Sequence, residues 1–192
     1  GDRLLVLLTD VSGKGMGAAL LMSNILASFR ILYQSEPFDL CRAVADVSRQ
    51  VWRFSDPGDF ATLFIGVAES DGCFRYINAG HNPPLLLRQD GTVEQLEPCG
   101  IMIGAFDMAD WTEQEVRMNP GDHLLVFSDG VTEAESESGQ FGEQRTLETA
   151  KELCHKPPAK LIEGLVDRVR DFVGDTPQSD DITLVALKRS SE

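Results

Sequence analysis

The sequence predicts an α+β domain: antiparallel sheet with helices packed on it. Three observations predict it. Short apolar runs in the middle of the chain are separated by turn residues at Ser70-Asp71-Gly72, Asp90-Gly91 and Pro120-Gly121-Asp122, and Asp90-Gly91 is a hairpin signal. Helical periodicity lies on either side of that middle. No long linker, low-complexity tract or tandem repeat interrupts the 192 residues, so one domain, 1–192, is expected.

Each element has its own reason. Residues 4–8 form a continuous apolar run, as in a strand covered on both faces. Residues 14–33 are apolar or small on nearly every side, which predicts a buried helix. A second helix is expected to open at Ser35-Glu36-Pro37, with serine as cap and proline in the first turn. Its apolar positions Leu40, Val44, Val47 and Val51 follow the helical step. Strands are expected over 61–68 and 73–78, 85–88 and 92–96, and 113–118 and 123–127. After Gly142 a short helix carries Leu147, Ala150 and Leu153, and Pro157-Pro158 breaks it. The next helix sets Leu161, Leu165, Val169 and Phe172 on one face and stops at Gly174, a C-cap. A last strand spans 182–187.

Composition narrows the function. Hydrophobic residues make up 42% and charged residues 25%, which places the chain among soluble globular proteins. The net charge of -14 repels phosphate backbones and anionic membranes, which argues against nucleic-acid and membrane partners. Cys41, Cys73, Cys99 and Cys154 form no CxxC pair, so reduced thiols and a cytoplasmic location are expected. No apolar run is long enough to span a bilayer, and no signal peptide is recognisable. The first residue is glycine, which suggests a domain excised from a longer chain.

The chemistry-bearing pattern is carboxylates at strand ends. Leu4-Leu5-Val6 leads to Thr9-Asp10, and Leu124-Leu125-Val126 leads to Ser128-Asp129-Gly130; Asp180-Asp181 precedes the final strand. If that strand runs opposite to the other two, exits and entry share one rim of an antiparallel sheet. Carboxylates gathered there repel one another unless a cation or proton intervenes. Oxygen ligands suit Mg²⁺ or Mn²⁺, and the absence of a Cys/His cluster makes zinc a poor fit. A pair of such ions can hold a phosphate and activate water. Glycines 13, 15 and 17 would let the loop approach a ligand and take positive φ.

The plainer reading, aspartate as a turn or cap residue, fits each position singly; the joint placement favours the metal. A P-loop fails, because Leu8 and Gly15 stand where it needs Gly and Ser or Thr. The dinucleotide fingerprint fails at Leu20. His81 reads as a turn or interior hydrogen-bonding residue, Ser12 and Ser128 lack a nucleophile's context, and the acidic run 133–137 reads as a solvated loop.

Taken in order, Asp10-Val11-Ser12-Gly13-Lys14-Gly15, Phe60-Ala61-Thr62-Leu63-Phe64, Asn78-Ala79-Gly80-His81-Asn82-Pro83, Pro120-Gly121-Asp122, Ser128-Asp129-Gly130-Val131-Thr132-Glu133-Ala134, Phe141-Gly142 and Asp180-Asp181-Ile182-Thr183 span nearly the whole chain. This series resembles the bacterial serine/threonine phosphatases of the PPM (PP2C-like) superfamily, SpoIIE/RsbU-type branch. The resemblance implies an αββα sandwich of two antiparallel sheets flanked by helices, with two Mn²⁺ or Mg²⁺ ions. It implies Asp10 as the bridging ligand with the Val11 carbonyl, and Asp129 with Asp180 or Asp181, Asp180 being favoured, as the others. Asp10 and Asp129 would be the catalytic carboxylates, and Lys14, where many members have His, would attract the phosphate. It implies hydrolysis of phosphoserine or phosphothreonine by metal-activated water, without a phospho-enzyme. The implied partners are a phosphorylated STAS-type anti-sigma-factor antagonist and an upstream sensor or receiver domain, and a homodimer is compatible with them.

One departure bears on this. The branch commonly begins with a Gly-Gly-Asp-aromatic-aromatic-Asp segment one strand upstream, which Gly1-Asp2 does not replace, so an incomplete metal site lacking the N-terminal strand is expected. A catalytically silent PP2C-like binding module is the alternative, favoured by partner binding indifferent to EDTA. A phosphoesterase acting on small molecules is a weaker third, separated by turnover on small esters against phosphoprotein.

Overall fold

The computed structural model describes residues 3–35 and 37–190. Gly1-Asp2 and Glu36, which carry part of the expected entry segment and second-helix cap, lie outside the described residues. In chain order the elements are β1 (Leu4–Val11), α1 (Met16–Leu32), α2 (Leu40–Phe54), β2 (Ala61–Ala68), β3 (Cys73–Ala79), β4 (Leu85–Leu87) and β5 (Val93–Gln95). Then follow β6 (Gln114–Arg117), β7 (His123–Phe127), α3 (Asp129–Thr132), β8 (Glu135–Ser136), β9 (Gly139–Gln140), α4 (Gly142–Leu153), α5 (Pro158–Val173) and β10 (Leu184–Lys188). They fall into two compact units: the chain up to His81 with Pro98–Arg117, and Asn82–Glu97 with the chain from Met118 onward.

The first unit holds an antiparallel sheet of order β1-β2-β3-β6. Strand side chains alternate between faces, and the face carrying Leu63, Ile65, Val67 and Ile77 packs with Ile25 and Phe29 of α1 and Val44, Val47 and Val51 of α2. The other face carries Val6, Leu8, Phe64, Phe74 and Tyr76, all buried, with Asp10 toward its end. Phe64, Phe74 and Tyr76 stack there. Gly66 makes room for them, since a Cβ at that position would lie 2.3 Å from the Phe74 ring.

Two helix expectations change. The second helix starts at Leu40, where the Asp39 side chain accepts a hydrogen bond from the Arg42 amide. Asp and Ser are equally good capping types, and the Asp39 charge also suits the positive end of the helix dipole. The first helix is not buried all round. Ile25 and Phe29 are covered, but Met16 is 78% and Ile31 68% exposed, with Leu20 and Leu26 exposed as well. Only its stripe toward the sheet and α2 is covered, and Gln50 links the helices by bonds to Asn24 and Ser28.

The second unit holds a sheet of order β10-β7-β4-β5, again antiparallel throughout. Leu85, Leu87, Leu125 and Phe127 pack under Ala150 of α4 and Leu161, Leu165 and Val169 of α5. Gly174, at φ 59, ends α5 as expected. The expected Pro120-Gly121-Asp122 turn joins β6 of one sheet to β7 of the other. The acidic stretch expected as loop, 133–137, contains β8, which pairs with β9 beyond it, Glu135 opposite Gln140. The fold is α+β with two antiparallel sheets and attendant helices, as expected.

Candidate metal centre

Asp10 is the next-to-last residue of β1, opposite Thr62 of β2. Cross-strand partners share a face, so Asp10 and Thr62 stand side by side. Thr62 hydrogen-bonds His81 Nδ1 at 2.9 Å, and its carbonyl accepts the Thr9 hydroxyl at 2.8 Å. His81 is buried, and its amide donates to Asn78 Oδ1 at 2.8 Å, an interior role. Val11 closes the strand. Ser12 then clamps the loop, its amide donating to the Phe60 carbonyl at 2.9 Å and its Oγ accepting the Phe60 amide at 3.0 Å. Gly13 and Gly15, at φ 85 and 87, turn the chain toward α1; Gly17 lies within that helix. Lys14 is exposed between them.

The second unit brings Asp129 together with the Asp180-Asp181 segment. Because β10 runs antiparallel to β7, the entry of one lies beside the exit of the other. Ser128 staples the two: its amide donates to the Thr183 carbonyl at 3.0 Å, its hydroxyl to the Asp181 carbonyl at 3.0 Å, and its Oγ accepts the Thr183 amide at 2.9 Å. Gly130 allows the approach, since a Cβ there would meet the Asp181 carbonyl oxygen at 2.3 Å. Asp129 begins the single turn α3, and its carbonyl accepts from Thr132 Oγ1 and the Glu133 amide. Asp180 Oδ1 accepts the Asp181 amide at 2.7 Å, and both residues are exposed.

The one-rim expectation therefore holds for Asp129 with Asp180-Asp181; Asp10 belongs to the other sheet. Non-local pairing is what strand-end patterns leave undetermined, because pairing partners are chosen by tertiary packing.

The donor chemistry of the second unit fits a hard divalent ion. Asp129 Oδ1 is buried without a hydrogen-bond partner. A buried carboxylate oxygen left so is costly unless something positive meets it. Among the described residues, no three His, Cys, Asp or Glu side chains stand together as a ready ligand set. Thiolate ligation is disfavoured too, because burial pushes the Cys41, Cys73 and Cys99 thiols up and so favours their protonated form. Sequence reasoning missed Ser128, Gly130 and Thr183 as positioning groups. Their signal was adjacency, a serine and glycine flanking one aspartate and a threonine following the pair, and their place in the family series.

A family model described as Stage II sporulation protein E (SpoIIE) matches residues 1–190. Phosphoserine phosphatase RsbU of Bacillus subtilis (strain 168) is 28% identical, covering 98% of this chain and 56% of its own length. The chain spans 56% of RsbU and 34% of a second curated relative, Protein IcfG of Synechocystis sp.. Among solved structures, the RsbU and RsbW domains of Rv1364c from Mycobacterium tuberculosis superpose with TM-score 0.80 at 29% identity, covering 99% of this chain and 52% of that one. The SiaA-PP2C domain of Pseudomonas aeruginosa shares the fold with TM-score 0.81 at 19% identity, covering 98% and 80%.

Proposed function

The chain belongs to the SpoIIE family, and from that premise we propose that it is a divalent-metal-dependent protein-serine/threonine phosphatase, a hydrolase of the PP2C-like type. The observation that carries this reading is the buried, unpartnered Asp129 Oδ1 on a segment stapled to Asp180-Asp181. In the proposal Asp10, the Val11 carbonyl, Asp129 and Asp180 or Asp181 hold two Mn²⁺ or Mg²⁺ ions. Bound ions of this kind neutralise phosphate charge and make water nucleophilic near neutral pH.

The chain's own groups do the positioning. Ser128 and Gly130 fix the spacing of Asp129 from the 181–183 backbone. The Ser12–Phe60 clamp fixes the loop after Asp10. Lys14, exposed between two glycines at positive φ, supplies a cation for an incoming phosphate. The substrate proposed is a phosphoserine or phosphothreonine on a STAS-type anti-sigma-factor antagonist, in keeping with a relative that is a phosphoserine phosphatase and another with RsbU and RsbW domains. Residues 1–192 act in this reading as one cytoplasmic catalytic domain under an upstream sensor or receiver domain, with a homodimer as its assembly.

The test is Mn²⁺-dependent phosphate release from such a phosphoprotein, by the full-length protein as well as this chain. Asp10→Asn and Asp129→Asn are each expected to lower turnover by about a hundredfold or more, the scale of losing a principal electrostatic group. Turnover that survives both substitutions, or is indifferent to EDTA, sinks the reading.

A further inference from the structure

A cavity of about 200 Å³ opens in the second unit between α5, β8 and the segment leading into β10. Ala134, Val169, Val173, Pro177 and Ile182 give its lining an apolar majority, and Glu135 and Arg170 stand among the lining residues. Two more lining residues, Gly130 and Ser179, are the immediate chain neighbours of Asp129 and Asp180. The cavity and the carboxylate-bearing segments therefore share their walls.

We infer that this cavity is a specificity pocket taking one apolar side chain of the phosphoprotein, from a residue one or two places along from the phosphorylated one. The inference rests on the phosphatase reading. An extended chain advances about 3.3 Å per residue, so a phosphoseryl group held at Asp129 and Asp180 brings the side chains beside it to Gly130 and Ser179. The volume admits a leucine-sized group. Burial there against Ala134, Val169 and Ile182 favours an apolar side chain by the area it removes from water. A charged one would lose hydration against that apolar surface. Arg170 and Glu135 both line the cavity and both are exposed, so neither sign of charge is favoured over the other and the apolar surface decides.

The experiment measures Mn²⁺-dependent turnover of phosphoserine peptides that place Leu, Ala, Asp or Lys at each of the two positions on either side, alongside p-nitrophenyl phosphate. One position is expected to favour Leu over Lys by about tenfold or more in kcat/KM, mostly through KM, the scale on which an apolar pocket discriminates. Thr176→Trp, which puts bulk into the lining, is expected to bring that ratio to about one while leaving p-nitrophenyl phosphate turnover unchanged. Should Thr176→Trp misfold, Val173→Ala enlarges the pocket and is expected to move the preference from Leu toward Phe. Equal turnover of all peptides, no turnover of any peptide beside active ester hydrolysis, or a preference untouched by the folded variants overturns the pocket. Failure to hydrolyse even the ester overturns the phosphatase reading itself, and the pocket with it.

Discussion

At the scale of single residues, Asp129 and Ser128 illustrate opposite demands. Asp129 Oδ1 is buried and unpartnered, so in the metal-free protein its charge destabilises the fold. Ser128 makes three hydrogen bonds with the 181–183 segment, and its Oγ bonds serve stability directly. Asp129→Asn is therefore expected to leave the metal-free urea midpoint unchanged or raise it, while abolishing Mn²⁺ binding followed by calorimetry. Ser128→Ala is expected to lower stability by about 1–3 kcal/mol, because the Thr183 amide loses its acceptor, and to weaken Mn²⁺ binding. A clear fall in stability for Asp129→Asn would mean that the carboxylate makes a native interaction, contrary to this account. The strand-end aspartates were legible in the sequence because an apolar run ending in a carboxylate is a local pattern. The staple was not, since a serine before a turn looks the same whether or not a distant backbone meets it.

At the scale of elements, β7 and the turn before it carry two further expectations. Asp122 is 2% exposed, accepts from Arg88, the Gln89 amide and the Asn119 amide, and so anchors the β4–β5 hairpin to the turn entering β7. Asp122→Ala takes an acceptor from Arg88 and from the Gln89 and Asn119 amides and is expected to cost about 1–3 kcal/mol, read as a lower urea midpoint. Next along, His123 is buried, and neither ring nitrogen makes a hydrogen bond among the described residues. Burial, and then the charge of Lys188, hold its imidazole below the ordinary 6.5. Above pH 6.5 both folded and unfolded states carry it neutral. Below that, the unfolded chain takes a proton the folded chain refuses, so stability falls as pH drops. His123→Leu is expected to flatten the stability–pH slope just below 6.5, relative to the parent protein under the same titration. The helical repeat of α2 was legible down to its buried positions Leu40, Val44, Val47 and Val51. Its start was not, because Ser35 and Asp39 are both capping types and only the packed geometry selects between them. The first helix misled for a related reason: apolarity records what a face can bury, and half of α1 meets no covering element among the described residues.

At the scale of the whole molecule, the net charge of -14 and the proposed metal act on the same quantity. Excess negative charge destabilises the compact state by self-repulsion, and any salt relieves part of it. Sodium chloride should therefore raise the unfolding midpoint modestly, by screening. A divalent ion held at defined carboxylates adds a different contribution, because a ligand that binds only the folded state stabilises it by mass action, about 2.7 kcal/mol at a hundred times Kd. For a domain of this size each kcal/mol moves the midpoint by about 2–4 °C, so saturating Mn²⁺ should raise it several degrees beyond NaCl of equal ionic strength. The two contributions separate in one variant. Asp129→Asn should keep the screening response and lose the excess produced by Mn²⁺. If Mn²⁺ and matched NaCl raise the parent midpoint equally, the carboxylates at the strand ends do no more than contribute to a diffuse negative surface. If the excess persists in Asp129→Asn, the ion sits elsewhere and the buried Oδ1 needs another explanation.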